Sequence, residues 1–154
     1  MTLKTRLGKL EQPATEKWHR AWERYGITLE PHLRPLLDPL REVCEEGARL
    51  GILVTVPECR AALDAFCTRL DIPLWASSWG WDELPEIDFD EPDLTRWPET
   101  EAEGPPPEPA GIWERIEPYF ESPDTIERWC AVIVRFTLAN ARGHRQYLET
   151  LQRD

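Results

Sequence analysis

The side chains of this chain that could do chemistry are mostly carboxylates, and they are concentrated in one stretch. Residues 82–121 contain fourteen acidic and two basic residues, a net charge of −12, whereas the whole chain of 154 residues carries −11. Charge concentrated in this way bears on partners and solubility and says little about the fold. The sequence therefore indicates a nearly neutral domain that carries one acidic insert.

Five of these acids could ligate a hard divalent cation, because carboxylate oxygens are preferred ligands of Ca²⁺ and Mg²⁺. They are Asp82, Glu86, Asp88, Asp90 and Asp93. An EF-hand loop that started at Asp82 would need glycine at its sixth position and glutamate at its twelfth, where the chain has isoleucine and aspartate. The motif is absent, and we expect neither a specific metal site nor a cofactor.

Cysteine and histidine lack the spacing of metal or redox sites. The four cysteines form no C-x-x-C pair and fall on apolar faces, so we expect reduced thiols that pack in the core. They are Cys44, Cys59, Cys67 and Cys130. Glu16 and His19 form one E-x-x-H, but a di-iron bundle requires a second copy of that motif.

Nucleophile and phosphate-binding motifs are also absent. Ser77 and Ser78 have no G-x-S-x-G frame, and the sequence contains no G-x-x-x-x-G-K-S/T. We therefore predict that the protein is not an enzyme.

The elements that must position these side chains are helices, because apolar residues over 1–70 recur at intervals of three and four. The first such stripe consists of Leu3, Leu7 and Leu10. A second covers 18–25, and a third covers 33–50, with its regular part starting near Pro39 because proline is tolerated in a first turn. Thr55 and Glu58 then form a capping box that predicts a fourth helix reaching about Leu70.

The C-terminal part predicts one long helix over 122–154. Ser122, followed by proline and aspartate, is a strong start signal, and apolar residues recur at helical spacing almost to the end of the chain. A strand over 130–138 is the alternative, because VIVRFTL is rich in strand-forming residues. The helix is preferred since the flanks continue the same period.

The stretch between these helices, 71–121, is an acidic insert rich in proline and tryptophan. Proline fixes the backbone and removes a donor, while neighbouring carboxylates repel, so the insert should be largely irregular and extended. The predicted fold is mostly α: a single helical domain over 1–154, with N-terminal helices over 1–70 and the irregular insert before a long C-terminal helix.

Aromatic residues alternate with acids in the insert, a pattern typical of segments that dock aromatic anchors into a groove while acids meet a basic rim. We predict a partner-binding site with anchors, a charge complement and a platform at the base of the insert. The anchors are Phe89 and Trp97. The charge complement is Asp88, Asp90, Glu91 and Asp93, and the platform is Trp79 and Trp81. In the alternative, the aromatics strap the insert across its own domain and the acids form a solvated face.

The opening residues LKTRLGKLEQ, a short basic leucine helix before a proline, resemble the start of many small uncharacterised proteins from phage and mobile-element regions of GC-rich bacteria. The resemblance covers only this N-terminal segment. It implies an accessory role, such as a host-directed inhibitor or an assembly protein, and it carries over no functional residue.

These observations together predict a regulatory accessory protein whose insert docks on a basic protein surface, such as that of a nucleic-acid-handling enzyme that it inhibits. We expect no direct nucleic-acid binding, because no basic cluster with interleaved aromatics occurs. With no long apolar run and no signal peptide, we expect a cytoplasmic protein without membrane contact. Two alternatives stay open: a small metal-dependent enzyme that uses the acidic cluster, and an oligomeric scaffold that self-associates through the first leucine stripe.

Overall fold

The computed structural model describes residues 33–79 and 104–152, which are mostly helical and contain no strand. The four helices of these ranges are α1 (Leu37–Leu50), α2 (Val56–Arg69), α3 (Ile112–Ile116) and α4 (Thr125–Gln152). Short 3-10 turns lie at Arg34–Leu36, Leu74–Ser77 and Glu117–Tyr119. The predicted mostly α class is confirmed for these ranges. The two helices predicted within residues 1–32 lie outside the described residues.

Helix α4 is the element against which the others pack. The helices α1, α2 and α3 all contact it, as do the turns at 74–77 and 117–119. Between 129 and 138 nearly every side chain of α4 is buried, and the largest of these are Trp129, Ile133, Phe136 and Leu138. A helix that is apolar on most sides must be covered on most sides. The VIVRFTL run is therefore helical, because packing on all sides outweighs its strand propensity.

The boundary between α1 and α2 confirms the capping prediction. The backbone N–H of Glu58 donates to Thr55 Oγ1 at 3.3 Å. The carboxylate of Glu58 accepts from the backbone N–H of Leu53 at 2.8 Å and of Val54 at 3.1 Å, and these bonds hold its pKa below the ordinary value. They also support Leu53 in the left-handed region, at φ 57°.

The ends of the predicted helices shift by only a few residues. Helix α1 begins at Leu37, two positions before Pro39, and α2 ends at Arg69. The cap of α4 is Asp124, whose Oδ1 accepts from the N–H of Ile126 at 2.9 Å, so the regular helix starts after the predicted Ser122. Ser122 positions this cap residue, because its hydroxyl accepts a hydrogen bond from the Asp124 N–H at 3.1 Å.

The described ends of the predicted insert belong to the helical body. Residues 112–119, predicted to be irregular, form α3 and a 3-10 turn, and Ile112 and Ile116 are fully buried. The acids of this stretch do not prevent the helix, because Glu114 and Glu117 are exposed. Two isoleucines four residues apart are enough to seat one helical turn against the core.

The α2 cap yields a stability prediction. Replacing Thr55 by alanine removes the acceptor for the Glu58 N–H and should lower the free energy of unfolding by about 1 kcal/mol. Urea denaturation followed by circular dichroism measures the change. The control is Thr68→Ala, at an exposed position inside the same helix, where alanine should be neutral or slightly stabilising. Equal effects of the two substitutions would show that the cap contributes nothing.

Candidate functional site

The described residues show where the acidic segment, residues 80–103, is attached to the body. In sequence this segment contains ten acids and one base, Arg96. The described chain stops at Trp79 and resumes at Gly104. Both flanks contact the C-terminal half of α4.

The first flank ends in a buried tryptophan. Trp79 is 6% exposed, and its indole packs edge-on against the His144 ring, with centroids 5.1 Å apart and an interplanar angle of 77°. His144 in turn packs against Tyr147 on the next turn of α4, at 6.2 Å. The ring of Trp79 is therefore buried in the body, and its predicted role as part of a partner-binding platform stays a prediction.

The second flank is held by an ion-pair cluster that we call the Glu108 clamp, formed by Glu108, Trp113, Arg142 and Arg145. Arg142 donates to both carboxylate oxygens of Glu108, from Nε at 2.8 Å and from Nη2 at 2.6 Å. The Trp113 indole N–H donates to Glu108 Oε1 at 2.6 Å. A bidentate guanidinium–carboxylate pair is among the strongest side-chain hydrogen bonds and fixes orientation as well as distance.

Stacking and backbone contacts complete the clamp. The Arg142 guanidinium lies 4.3 Å from the centre of the Trp113 ring, a favourable cation–π distance. Arg145 lies 3.8 Å from the Glu108 carboxylate and donates to the Pro106 carbonyl. The carboxylate therefore has partners on two sides, and residues 106–113 are tied to one face of α4.

The chain also approaches α4 closely where it leaves the acidic segment. A Cβ built on Gly104 would lie 2.8 Å from Leu148 Cδ1, and the backbone there has φ +79°. Both the contact and the dihedral favour glycine at this position. Gly104 thus lies against α4 about one turn from His144, the residue against which Trp79 packs.

The electrostatics of the clamp favour the charged pair. The hydrogen bond from Arg142 is the main cause that holds the pKa of Glu108 below its ordinary value, while partial burial opposes it. The same bond raises the pKa of Arg142. The pair is therefore ionised at neutral pH.

The remaining predicted site residues lie outside the described residues and stay predictions. They are Trp81, Asp88, Phe89, Asp90, Glu91, Asp93 and Trp97. The sequence did not predict the Glu108 clamp, because nothing local distinguishes Glu108 from the other thirteen acids of residues 82–121. Arg142 and Arg145 share a helix face by their spacing of three, which is a visible signal. Nothing local connects them to an acid more than thirty residues earlier in the chain.

The cysteines occupy the core and its margin. All four are free thiols, with Cys67 and Cys130 buried and Cys44 and Cys59 half-buried. Burial raises the pKa of each, that of Cys130 to about 12, so these thiols are poor nucleophiles. Within residues 33–79 and 104–152, no group of three or more histidine, cysteine or acidic side chains could hold a metal ion. No helix in the same part of the chain is long and apolar enough to cross a bilayer.

Comparisons of the chain with models of protein families, with curated proteins and with solved structures find no match. A function can therefore be argued only from the residues of this chain and their geometry.

The clamp predicts a stability change for Glu108→Gln. The amide loses the charge-assisted pair with Arg142, so the free energy of unfolding at neutral pH should fall by about 1–2 kcal/mol. Because the folded pKa of Glu108 is lowered, the wild-type advantage is present above the ordinary glutamate value of 4.5 and disappears as the pH falls through the lowered pKa. Urea denaturation across this pH range measures both effects.

The matched control is Glu114→Gln, which makes the same chemical change at an exposed position on α3. It should leave the unfolding free energy nearly unchanged at every pH. A Glu108→Gln loss that persisted unchanged at low pH would mean that the ion pair does not stabilise the fold.

Proposed function

We propose that the protein is a non-enzymatic interaction protein that presents its acidic segment, 80–103, to a basic surface of a partner protein. The observation that carries this proposal is the attachment of both flanks to one short stretch of α4. Trp79 packs against His144, and Gly104 packs against Leu148. Four residues of helix correspond to about 6 Å along the axis, so the two flanks contact α4 about one turn apart.

Attachment at both ends favours a binding role for the segment. Tying the ends of a chain segment together lowers the number of conformations it can adopt. A partner then loses less binding free energy in ordering the segment than it would with a free tail.

The charge of the segment determines the kind of partner. Glu108 is neutralised by Arg142, so the charge offered to a partner comes from residues 80–103, with ten acids against one base. Such a segment attracts a basic surface, increases the rate of encounter and makes binding depend on salt. Phe89 and Trp97, spaced among the acids, are suited to act as the apolar anchors.

Enzymes that handle nucleic acid are a fitting partner class, because they carry basic surfaces that neutralise phosphates. An acidic segment that covers such a surface competes with the nucleic acid for it. The proposed role is therefore that of a regulator, and inhibition is its expected direction.

The proposal predicts the behaviour of a variant with Asp88→Asn, Asp90→Asn, Glu91→Gln and Asp93→Asn. Loss of four carboxylates should weaken partner binding by about tenfold or more and flatten its dependence on salt. The intact protein and the variant are each immobilised. Partners are then captured from a lysate of the source organism and identified by mass spectrometry. The purified partner is then titrated at several salt concentrations.

The matched control removes four exposed carboxylates from the helical body instead. It carries Glu45→Gln, Glu114→Gln, Glu117→Gln and Glu149→Gln. This variant has the same net charge as the segment variant and should keep the affinity and salt dependence of the intact protein. Equal losses in the two variants would show that overall charge is responsible, and unchanged binding in both would rule out the acidic segment as the site.

A further inference from the structure

A second feature of α4 lies in its N-terminal half, where a cleft of about 440 Å³ separates it from α1. Its floor contains Val43 of α1 and Val132 of α4, which are 1% and 3% exposed. Pockets for small molecules have volumes of roughly 300–1,000 Å³, so this cleft is at the small end of that range. Its walls carry charged side chains from both helices and from the loop between α3 and α4.

The arginines of α2 and α4 show how this protein stabilises a stacked guanidinium. Arg142 lies over the Trp113 ring and pairs with a carboxylate, that of Glu108. Arg69 lies 5.5 Å from the Tyr119 ring centre and pairs with Glu127 at 3.3 Å. In both cases the guanidinium lies over an aromatic ring and an acid pairs with its charge.

Arg135, in the cleft, departs from this pattern. Its guanidinium lies 4.2 Å from the Phe120 ring centre, the shortest of these stacking distances. Yet its Nε is buried without an acceptor, and no carboxylate of the described residues forms an ion pair with it. A half-buried cation with an unsatisfied donor is unfavourable, and here burial lowers its pKa. An anionic group that entered the cleft would neutralise the charge of this guanidinium.

The acids of the cleft limit what that group can belong to. Glu46 is engaged by Arg128, across the same cleft. Glu42 and Glu121 also line the walls and have no ion pair among the described residues. A purely anionic ligand would be repelled by these two carboxylates, and a purely cationic one would leave Arg135 unsatisfied.

We propose that this cleft binds a small zwitterion that carries a carboxylate and an ammonium group, with Arg135 as the partner of the carboxylate and Glu42 or Glu121 as that of the ammonium. Stacking on Phe120 pre-orients the guanidinium for bidentate contact with a planar carboxylate. A volume of 440 Å³ accommodates a molecule the size of an amino acid. This proposal does not depend on the function proposed for the acidic segment.

The test uses zwitterions in which the two charges are progressively farther apart: glycine, β-alanine, γ-aminobutyrate and ε-aminocaproate. Acetate and methylamine each carry one of the two charges and serve as ligand controls. Each compound is titrated into the full chain at millimolar concentrations and followed by thermal unfolding and calorimetry. At least one zwitterion should raise the melting temperature, because a ligand that binds only the folded protein stabilises it.

Variants of the protein assign the binding to the cleft. Arg135→Gln should lower the affinity for that zwitterion by about tenfold or more. Arg135→Lys keeps the charge and should lower the affinity less. The double variant Glu42→Gln, Glu121→Gln should also lower this affinity, because it removes the carboxylates proposed to pair with the ammonium group. The control, Arg69→Gln, removes another stacked arginine outside the cleft and should bind as the intact protein does. If Arg135→Gln does not fold, Arg135→Lys and the double glutamine variant give the answer.

Three results would overturn the proposal. The first is that no member of the series binds the intact protein. The second is equal affinity of the intact protein and the Arg135 and glutamine variants, which would place the binding elsewhere. The third is acetate binding as tightly as every zwitterion, which would define a plain anion site.

Discussion

Burial of the central part of α4 on nearly all sides is the constraint on which the rest of the described structure depends. Its central residues, 129–138, are apolar around most of the helix circumference, so no single neighbour can cover them. Helices α1, α2 and α3 and two 3-10 turns supply the covers. Each of these elements takes its position from α4, and both candidate sites are therefore built on one rigid support.

Arginine side chains at the margin of this apolar centre join the helices and loops to one another. Arg115 donates to the carbonyls of Leu70 and Asp71 at 3.3 and 2.6 Å, which satisfies the end of α2 and ties it to α3. Along α4, Arg128 and Arg142 bind acids from α1 and from the segment before α3. These pairs are partly exposed, so they contribute less to stability than burial does, but they set which loops lie against which turns of the helix.

The two halves of α4 carry different groups of contacts. The C-terminal half holds the flanks of the acidic segment through His144, Leu148 and the Glu108 clamp. The N-terminal half forms one wall of the cleft that contains Arg135. Seven residues, or about 10 Å of helix, separate Arg135 from Arg142.

The amino-acid sequence by itself determined the features that depend on neighbours in the chain. The mostly α class, the Thr55–Glu58 cap and the long C-terminal helix follow from spacing and start signals, which act over a few residues. Tertiary structure alone decided that Ile112 and Ile116 seat a helix in the core, that Glu108 meets Arg142, and that Arg135 lacks an acid. These outcomes depend on residues far apart in sequence that packing brings together, and no local pattern encodes such distances.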